Sequence, residues 1–335
     1  MNDIAKPTVK QNSVIGVVRT SMGRAEFWQV FGPFLIFAAT LLTVSISTPA
    51  FFGGTGISIV TGSAAPILLV ALGQAMVLNI GSIDLSNASI SLLGAILLAL
   101  TLPSLGVGAI VLMLAIVTVF GAINGALVAY AQVPSFALTL GTLGILDAAT
   151  LVISGSETIY VNEHRELVTT LYQEQFAAIP FTFWLGVAVA LFYWGLLRFT
   201  RIGQSMTAIG KNEPGAIFAA VPTRWLKIVT FAISGFTGGL AGISIVAQAG
   251  SASASGLGSD LLLPGITAAL VGGTAISGGV TNPVNVIFGA LIVAFVPIAV
   301  QAFGIGAQAQ SLVYGIFIIG VVILTTYRSQ DSITK

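Results

Sequence analysis

Long apolar segments, almost free of charged side chains, recur along nearly the whole sequence and constrain the fold more than any other feature. A helix needs about 20 apolar residues to cross the hydrocarbon core of a bilayer. Only 7% of the residues are charged, against roughly 25% in soluble domains. The chain therefore has too few charged side chains to cover a water-exposed surface. The sequence therefore predicts an all-α polytopic membrane protein with about ten transmembrane helices, at 28–48, 58–80, 88–102, 106–130, 135–153, 179–197, 226–248, 261–276, 284–303 and 309–326.

Two of these segments, 88–102 and 261–276, are short and rich in Gly and Ser. Irregular backbone survives at membrane depth only where protein buries it or where it lines a water-filled cavity. Both segments are therefore expected to be half-helices or tilted helices beside a cavity.

Basic residues set the expected orientation. Eleven of the twelve lie in the N-terminal tail 1–27, in the loop 198–227 and in the C-terminal tail 327–335, whereas the loop 154–178 carries four glutamates against Arg165. Because Lys and Arg are enriched in cytoplasmic loops, both tails and loop 198–227 are predicted to be cytoplasmic, and loop 154–178 periplasmic. Ten spans satisfy this pattern, and residues 28–326 are expected to form a single transmembrane domain.

Asp84 is an acidic residue between two apolar spans, in the segment NIGSIDLSNAS at 79–89. A carboxylate at the bilayer centre costs roughly 2.5–3.5 kcal/mol on insertion scales, so a paired or capped carboxylate is expected. One interpretation is a residue at a broken helix near a transport path. The other is a cap that accepts hydrogen bonds from the first free N–H groups of the next helix.

Asp147 is a second acidic residue, inside the fifth predicted span. Together with Asp84 it permits an alternative function, a secondary carrier coupled to protons or sodium. The simpler interpretation is a single carboxylate that a neighbouring helix satisfies, or one near the outer interface.

No group of residues points to catalysis or metal binding. The chain has no Cys, hence no disulfide, thiolate metal site or Cys nucleophile. The stretch IGKN at 209–212 lacks the G-x-x-x-x-G-K-[ST] spacing of a phosphate loop. The net charge of +1 gives no case for a nucleic-acid partner. This profile is typical of a channel or a carrier, and an active carrier would take its energy from elsewhere.

Four segments in order resemble one family: SIDLS at 82–86, VPSFALTLGT at 133–142, GQSMTAIGKNEPGA at 203–216 and VGGTAISGG at 271–279. Together they are similar to the motifs of the membrane permeases of ribose-type ATP-binding cassette importers. The resemblance implies the permease subunit of an importer in the bacterial inner membrane. The cargo would be a small sugar, such as a ribose-like pentose, a hexose or a polyol.

The resemblance also implies partners. ATP-hydrolysing subunits would dock on the cytoplasmic side and bind ATP and magnesium, so this chain would carry no cofactor. A periplasmic binding protein would deliver the sugar, and a second permease would pair with this one in the bilayer. Ser82 and Pro214-Gly215 depart from the family pattern. The identity of the second permease therefore stays open between an identical copy and an unlike paralogue.

Loop 198–227 is expected to carry a short helix that docks in a groove of the ATP-hydrolysing subunit and acts as a lever. A helix beginning at Pro214 fits the preference of proline for the first helical position, and Glu213 suits the positive end of the helix dipole. The residues expected to couple the two subunits are Ala208, Ile209, Gly210, Asn212, Glu213, Pro214, Ala216, Phe218 and Ala219.

A neutral sugar needs hydroxyl and amide groups along its path rather than an array of charges. Polar residues on spans two to five and in their connecting loops provide such groups. The candidates for the path or its gate are Asn79, Asp84, Ser86, Asn87, Asn124, Gln132, Ser135 and Thr139.

Overall fold

A computed structural model describes residues 32–35, 37–38, 41–42, 53–255, 260–302, 306, 309–316 and 318–319. Six of its helices are long and apolar enough to cross a membrane. They are α1 (Gly54–Asn79), α2 (Asn87–Leu105), α3 (Val107–Tyr130), α4 (Ser135–Ser154), α6 (Phe181–Phe199) and α9 (Thr223–Ala249). Two further apolar helices follow, α10 (Leu262–Val271) and α11 (Pro283–Ala302). These helices match the eight central predicted spans, so an all-α polytopic membrane protein is confirmed.

The first and tenth predicted spans lie largely outside the described residues. Their described parts, 32–35, 37–38, 41–42 and 309–319 with gaps, are helical. The tails 1–27 and 327–335 are entirely outside the described part of the chain.

The helices α1, α2 and α9 form the centre of the bundle. Nearly every residue of α1 is buried, and α9 packs against α1, α2 and α3. In contrast, α3, α4 and α6 expose many large apolar side chains, which suits helices that face lipid or another membrane subunit. In a bundle with a polar outer surface, the exposed side chains of these helices would be mostly polar.

The two expected short spans differ in length. The helix α10 has 10 residues, in agreement with a half-helix. The helix α2 has 19 residues and is long enough to span, so 88–102 is not part of a half-helix. The predicted end was placed before Pro103, but the helix continues through this proline to Leu105.

Loop 154–178 lies beside the start of α1 and the end of α9. Its strand β1 (Ile159–Tyr160) pairs antiparallel with β4 (Ser251–Ala252), which directly follows α9. The helix α5 (Glu166–Gln173) comes next, and then the hairpin of β2 (Gln175–Phe176) and β3 (Ile179–Pro180).

Loop 198–227 lies at the opposite end of the same two helices. It contains α7 (Arg201–Lys211) and α8 (Glu213–Phe218). Asn79, the last residue of α1, donates from Nδ2 to Thr207 Oγ1 on α7 over 3.2 Å. The glutamate-rich loop and the basic loop are therefore separated by the length of the bundle.

Candidate translocation and coupling sites

The connection between α1 and α2 turns back into the bundle. Gly81 adopts φ 74°, a left-handed conformation that reverses the chain just after Asn79. The carboxylate of Asp84 then lies at 0% exposure and contacts Ser234, which lies well inside α9. Apart from Gly81, which is exposed, and Ile83, which is partly exposed, the loop 80–86 is therefore buried irregular backbone at the depth of the helices.

Asp84 is held by three donors. Its Oδ1 accepts from the main-chain N–H of Ser86 at 3.0 Å and from the Ser86 hydroxyl at 2.6 Å. Its Oδ2 accepts from the Ser234 hydroxyl at 2.8 Å. The carboxylate thus fixes the residue that precedes α2 and also ties the broken connection to α9, and among the described residues no side chain caps α2.

Asn87 and Asn124 extend this contact into a network across four helices. Asn87 Nδ2 donates to the hydroxyl and the carbonyl oxygen of Ser234, at 2.6 Å and 2.7 Å. Asn124 Nδ2 on α3 donates to Ser86 Oγ at 2.9 Å, and Thr142 on α4 donates to Asn124 Oδ1 at 2.9 Å. Each serine hydroxyl thereby accepts one hydrogen bond and donates its proton to Asp84.

Side chains at the start of α4 accept hydrogen bonds from the backbone of the same loop. The N–H of Ile83 donates to Ser135 Oγ and the N–H of Leu85 donates to Thr139 Oγ1, both at 3.0 Å. These bonds satisfy N–H groups that no helix ladder reaches, which is required of buried backbone. We refer to Asp84, Ser86, Asn87, Asn124, Ser135, Thr139, Thr142 and Ser234 as the gate network.

Six of the eight residues expected along the sugar path thus converge in the gate network, and two do not. Asn79 lies at the end of α1 against α7. Gln132 is exposed, with φ 55°, and its Nε2 donates to the carbonyl oxygen of Ala129. Neither residue contacts Asp84 in the described part of the chain.

A polar cavity of about 650 Å³ lies beside the gate network. It is lined by the first turn of α2, by α4, by the start of α10 and by the helical residues 310–314. Its polar groups come from Ser89, Asp147, Asp260, Gln310, Ser311 and Tyr314. Ser89 lines the cavity from the first turn of α2, the turn that also carries Asn87 of the gate network.

Sequence reasoning missed most of this cavity. Asp147 was considered for ion coupling, whereas Ser89, Asp260, Gln310, Ser311 and Tyr314 were not considered. A signal exists on α4, where Thr139, Leu143 and Asp147 recur at intervals of four and so share one face. Thr139 binds the loop and Leu143 and Asp147 line the cavity.

The two carboxylates of the alternative ion-coupled function occupy different environments. Asp84 is enclosed by donors, and Asp147 faces the cavity. No hydrogen bond joins them among the described residues. Nor do these residues contain a group of three or more His, Asp or Glu side chains placed to hold a metal ion.

Two short helices form the segment expected to couple the chain to an ATP-hydrolysing subunit. Thr200 caps α7 by accepting from the N–H of Gly203 at 3.1 Å, and Asn212 caps α8 by accepting from the N–H of Gly215 at 3.0 Å. The helix α8 begins at Glu213, one residue before the expected Pro214. Sequence reasoning missed this cap, although Asn immediately before Glu-Pro is a usual helix start.

The inner face of these helices packs on the bundle. Ile209 and Ala216 are buried. Gly210 packs directly on the carbonyl of Asn79 and the N–H of Gly279, and no side chain fits between them. These three coupling candidates therefore position the segment instead of presenting a surface.

The outer face is open and apolar. Ala208, Asn212, Pro214 and Ala219 are exposed, and so is Phe218, at 92%. Its neighbour Ile217 is also exposed, at 56%, and contiguous exposed apolar side chains mark interaction surfaces. The candidates of the coupling segment thus divide into an anchored side and a free side.

An ion pair joins α8 to α9. Lys227 Nζ lies 2.6 Å from Glu213 Oε1, and the Lys227 side chain is 11% exposed. Lys227 and Ser234 are seven residues apart on α9, two helical turns, and therefore lie on the same face. The coupling segment and the gate network are attached to one face of one helix.

The sequence profile of the family described as branched-chain amino acid transport system / permease component matches residues 56–322. The chain belongs to this family. The matched region includes all helices from α2 to α11, the gate network and the coupling segment.

Curated relatives of the permease carry the names of sugar transporters. It is 29% identical to the ribose import permease protein RbsC of Haemophilus influenzae, over 88% of this chain and 92% of the relative. It is 28% identical to the D-allose transport system permease protein AlsC of Escherichia coli, over 90% and 92%. It is also 28% identical to the L-arabinose transport system permease protein AraH of Escherichia coli, over 94% and 96%.

No solved structure matches the permease. The relatives and the apolar helices confirm the predicted ribose-type carbohydrate permease family and a multi-pass membrane protein. The family description names amino acids, whereas these relatives are named for pentoses and hexoses, so the relatives favour a sugar permease.

Proposed function

We propose that this permease is the membrane subunit of an importer that carries a neutral sugar or polyol and is driven by a separate ATP-hydrolysing subunit. A binding protein on the other side of the membrane would deliver the sugar. The observation that carries the proposal is the pairing of a polar cavity with a buried hydrogen-bonded gate, both inside an apolar bundle. The names of the relatives agree with it.

The lining of the cavity favours neutral, hydroxyl-rich solutes. Its volume of about 650 Å³ falls in the usual range of small-molecule sites, about 300–1,000 Å³. Asp147 and Asp260 both line it, and no basic residue does so among the described residues. Two carboxylates accept hydrogen bonds from sugar hydroxyls and repel phosphorylated or acidic sugars.

The gate network supplies a closed state. We infer that the loop 80–86, which is bonded to α3, α4 and α9, lies between the cavity and the end of the bundle that carries α7 and α8. Passage of a sugar requires some of these bonds to open. Because Ser234 belongs to α9, a shift of α9 acts on the Asp84 contact directly.

The coupling segment supplies the input to that shift. We infer that the exposed face around Phe218 docks on the ATP-hydrolysing subunit, and that the Glu213–Lys227 ion pair passes its movement to α9. Two helical turns separate Lys227 from Ser234, about 10 Å along the axis. The path from the docked surface to the gate is therefore short and lies on one helix.

A second permease would complete the cavity. The helix α4 lines it and yet exposes most of its residues, with only Thr139, Leu146, Thr150 and Ser154 buried. A partner permease packed on this face would enclose the sugar path on its open side. Whether that partner is an identical copy is decided by which chains purify with this one.

The test combines purification with uptake. Purification from native membranes is expected to bring an ATP-hydrolysing subunit with the permease, and uptake is expected to stop on ATP depletion and to survive a proton uncoupler. Phe218→Glu and Ala219→Arg should abolish co-purification while the permease still inserts. Phe176→Glu, an exposed aromatic at the opposite end of the bundle, is the matched control. Uptake that stops with the uncoupler alone would establish the ion-coupled carrier instead.

A further inference from the structure

A second polar cavity lies at the end of the bundle that carries the basic loop. It has a volume of about 330 Å³ and is bordered by the ends of α1 and α6, by α7 and by residues 279–283 before α11. It shares no lining residue with the sugar cavity, and neither α6 nor α7 borders that cavity. It is therefore a separate cavity from the one proposed for the sugar.

The wall of this cavity contains an unpartnered buried acceptor. Asn79 is 1% exposed, and its side-chain Nδ2 donates to Thr207 Oγ1. Its main-chain carbonyl oxygen accepts from the N–H of Gly279 at 2.9 Å. Its Oδ1 has no partner. Buried polar atoms without a partner are uncommon and call for a ligand or water, so this oxygen indicates a group that donates a hydrogen bond.

The cavity and its surroundings are also cationic. Arg198 lines it, and the side chain of Lys211 lies over Gly279 on its border. Within the part of the chain that the structure describes, no carboxylate pairs with Arg198, Arg201 or Lys211, because Glu213 is bound to Lys227. The N-terminus of the 20-residue helix α11 opens beside the same cavity and adds a partial positive charge.

The position of the cavity points to lipid. Trp194 lines it and packs edge-on against Phe199, with ring centroids 5.4 Å apart, and both side chains are exposed on α6. Tryptophan at the end of a transmembrane helix marks the level of the lipid headgroups. Basic pockets between helices on the side of the positive loops are a recurring binding place for anionic headgroups.

We propose that this cavity binds the headgroup of an anionic phospholipid whose phosphate contacts Arg198 and whose headgroup hydroxyl donates to Asn79 Oδ1. Phosphatidylglycerol has both groups. Phosphatidylethanolamine also has a phosphate and a donor but is neutral overall, so the unpaired cations around the cavity favour phosphatidylglycerol. The site would fix lipid between α1, α6 and α7, next to the anchored side of the coupling segment.

The test is lipid retention by the purified full-length permease, measured by native mass spectrometry with each lipid added in equal amount. Phosphatidylglycerol should be retained about fivefold better than phosphatidylethanolamine, since one Arg near the surface contributes about 1 kcal/mol. It should also exceed phosphatidylmethanol, which has the same charge but no headgroup hydroxyl. Arg198→Gln should remove the preference, and Arg224→Gln, which alters an arginine stacked on Tyr130 outside the cavity, should retain it.

Several results would overturn the proposal. Equal retention of the three lipids would exclude a specific headgroup site. An equal loss in Arg198→Gln and Arg224→Gln would reduce the effect to general surface charge. Displacement of phosphatidylglycerol by millimolar inorganic phosphate would identify a site for a soluble anion rather than for lipid.

Discussion

Lys227 and Ser234 lie two turns apart on one face of α9, and each holds an acidic residue from a different part of the chain. Lys227 binds Glu213 of the coupling segment, and Ser234 binds Asp84 of the gate network. The two contacts differ in character, because Asp84 is fully buried, whereas Glu213 is partly exposed. A movement at the exposed contact can therefore reach the buried one through a rigid element.

Glu213→Lys is expected to uncouple transport from ATP hydrolysis. It places two ammonium groups together at Lys227 and should lower uptake about tenfold, in the usual range of a coupling energy between two sites. The measurement is uptake of radiolabelled ribose, arabinose or allose, whichever the wild type carries, normalised to permease in the membrane. The charge swap Glu213→Lys with Lys227→Glu is the control and should recover part of the uptake. A swap no better than the single variant would contradict a direct ion pair.

Asp84→Ala is expected to destabilise the bundle strongly. It leaves the hydroxyls of Ser86 and Ser234 without their acceptor in a fully buried place, and each unpaired buried group costs about 1–3 kcal/mol. The midpoint of thermal unfolding in detergent, followed by size-exclusion chromatography, reports the loss. Asp147→Ala is the matched control, since that carboxylate faces an open cavity, and its midpoint should change little. Equal midpoints for the two variants would show that Asp84 is not a structural tie.

Gly210→Ala is expected to detach α7 from the bundle. A methyl group there would overlap the carbonyl of Asn79 and the N–H of Gly279, and overpacking of this kind costs about 1–3 kcal/mol. Limited proteolysis within loop 198–227 should accelerate. Gly195→Ala is the control because nothing lies within 4 Å of its added methyl group. Cleavage at wild-type rate in Gly210→Ala would mean that α7 is not held by this contact.

Asp147→Leu is expected to weaken handling of the sugar without harming the fold. It removes an acceptor for sugar hydroxyls from the cavity wall, and a hydrogen bond to a charged group contributes about 1.5–3 kcal/mol, which is roughly a tenfold effect or more on uptake. Asp147→Asn keeps an acceptor and should lose less. If both variants transport like the wild type, the cavity is not the path.

The fold was readable from the sequence because membrane spans are set by local composition. A stretch of about 20 apolar residues has few alternatives to a helix in a bilayer, because its backbone N–H and C=O groups must be satisfied within the segment. The errors were local, at Pro103, which α2 passes, and at Asn212, whose side chain starts α8 one residue early.

The gate network was partly readable because several of its members lie close together in the sequence. Asp84 and Ser86 lie in the loop before α2, Asn87 is the first residue of α2, and Ser135 and Thr139 lie at the start of α4. Ser234 could not be identified from the sequence, because it resembles the other serines on helices. Only the packing of α9 against that loop brings its hydroxyl to Asp84.

The cavity of about 650 Å³ could not be predicted from the sequence for the same reason. Ser89, Asp260, Gln310 and Tyr314 come from elements far apart in the sequence, and nothing local in their segments indicates that they meet. A transport path of this kind is a property of the tertiary arrangement and not of a motif.

The pairing of β1 with β4 gives α9 a second attachment. Tyr160 pairs with Ser251, just beyond the C-terminal end of α9, so the glutamate-rich loop is attached to that end. Glu213 binds Lys227 near the N-terminal end of the same helix. With 27 residues, α9 is about 40 Å long. Under the proposed function, a binding protein on that loop and an ATP-hydrolysing subunit on α8 would act on the two ends of the same helix.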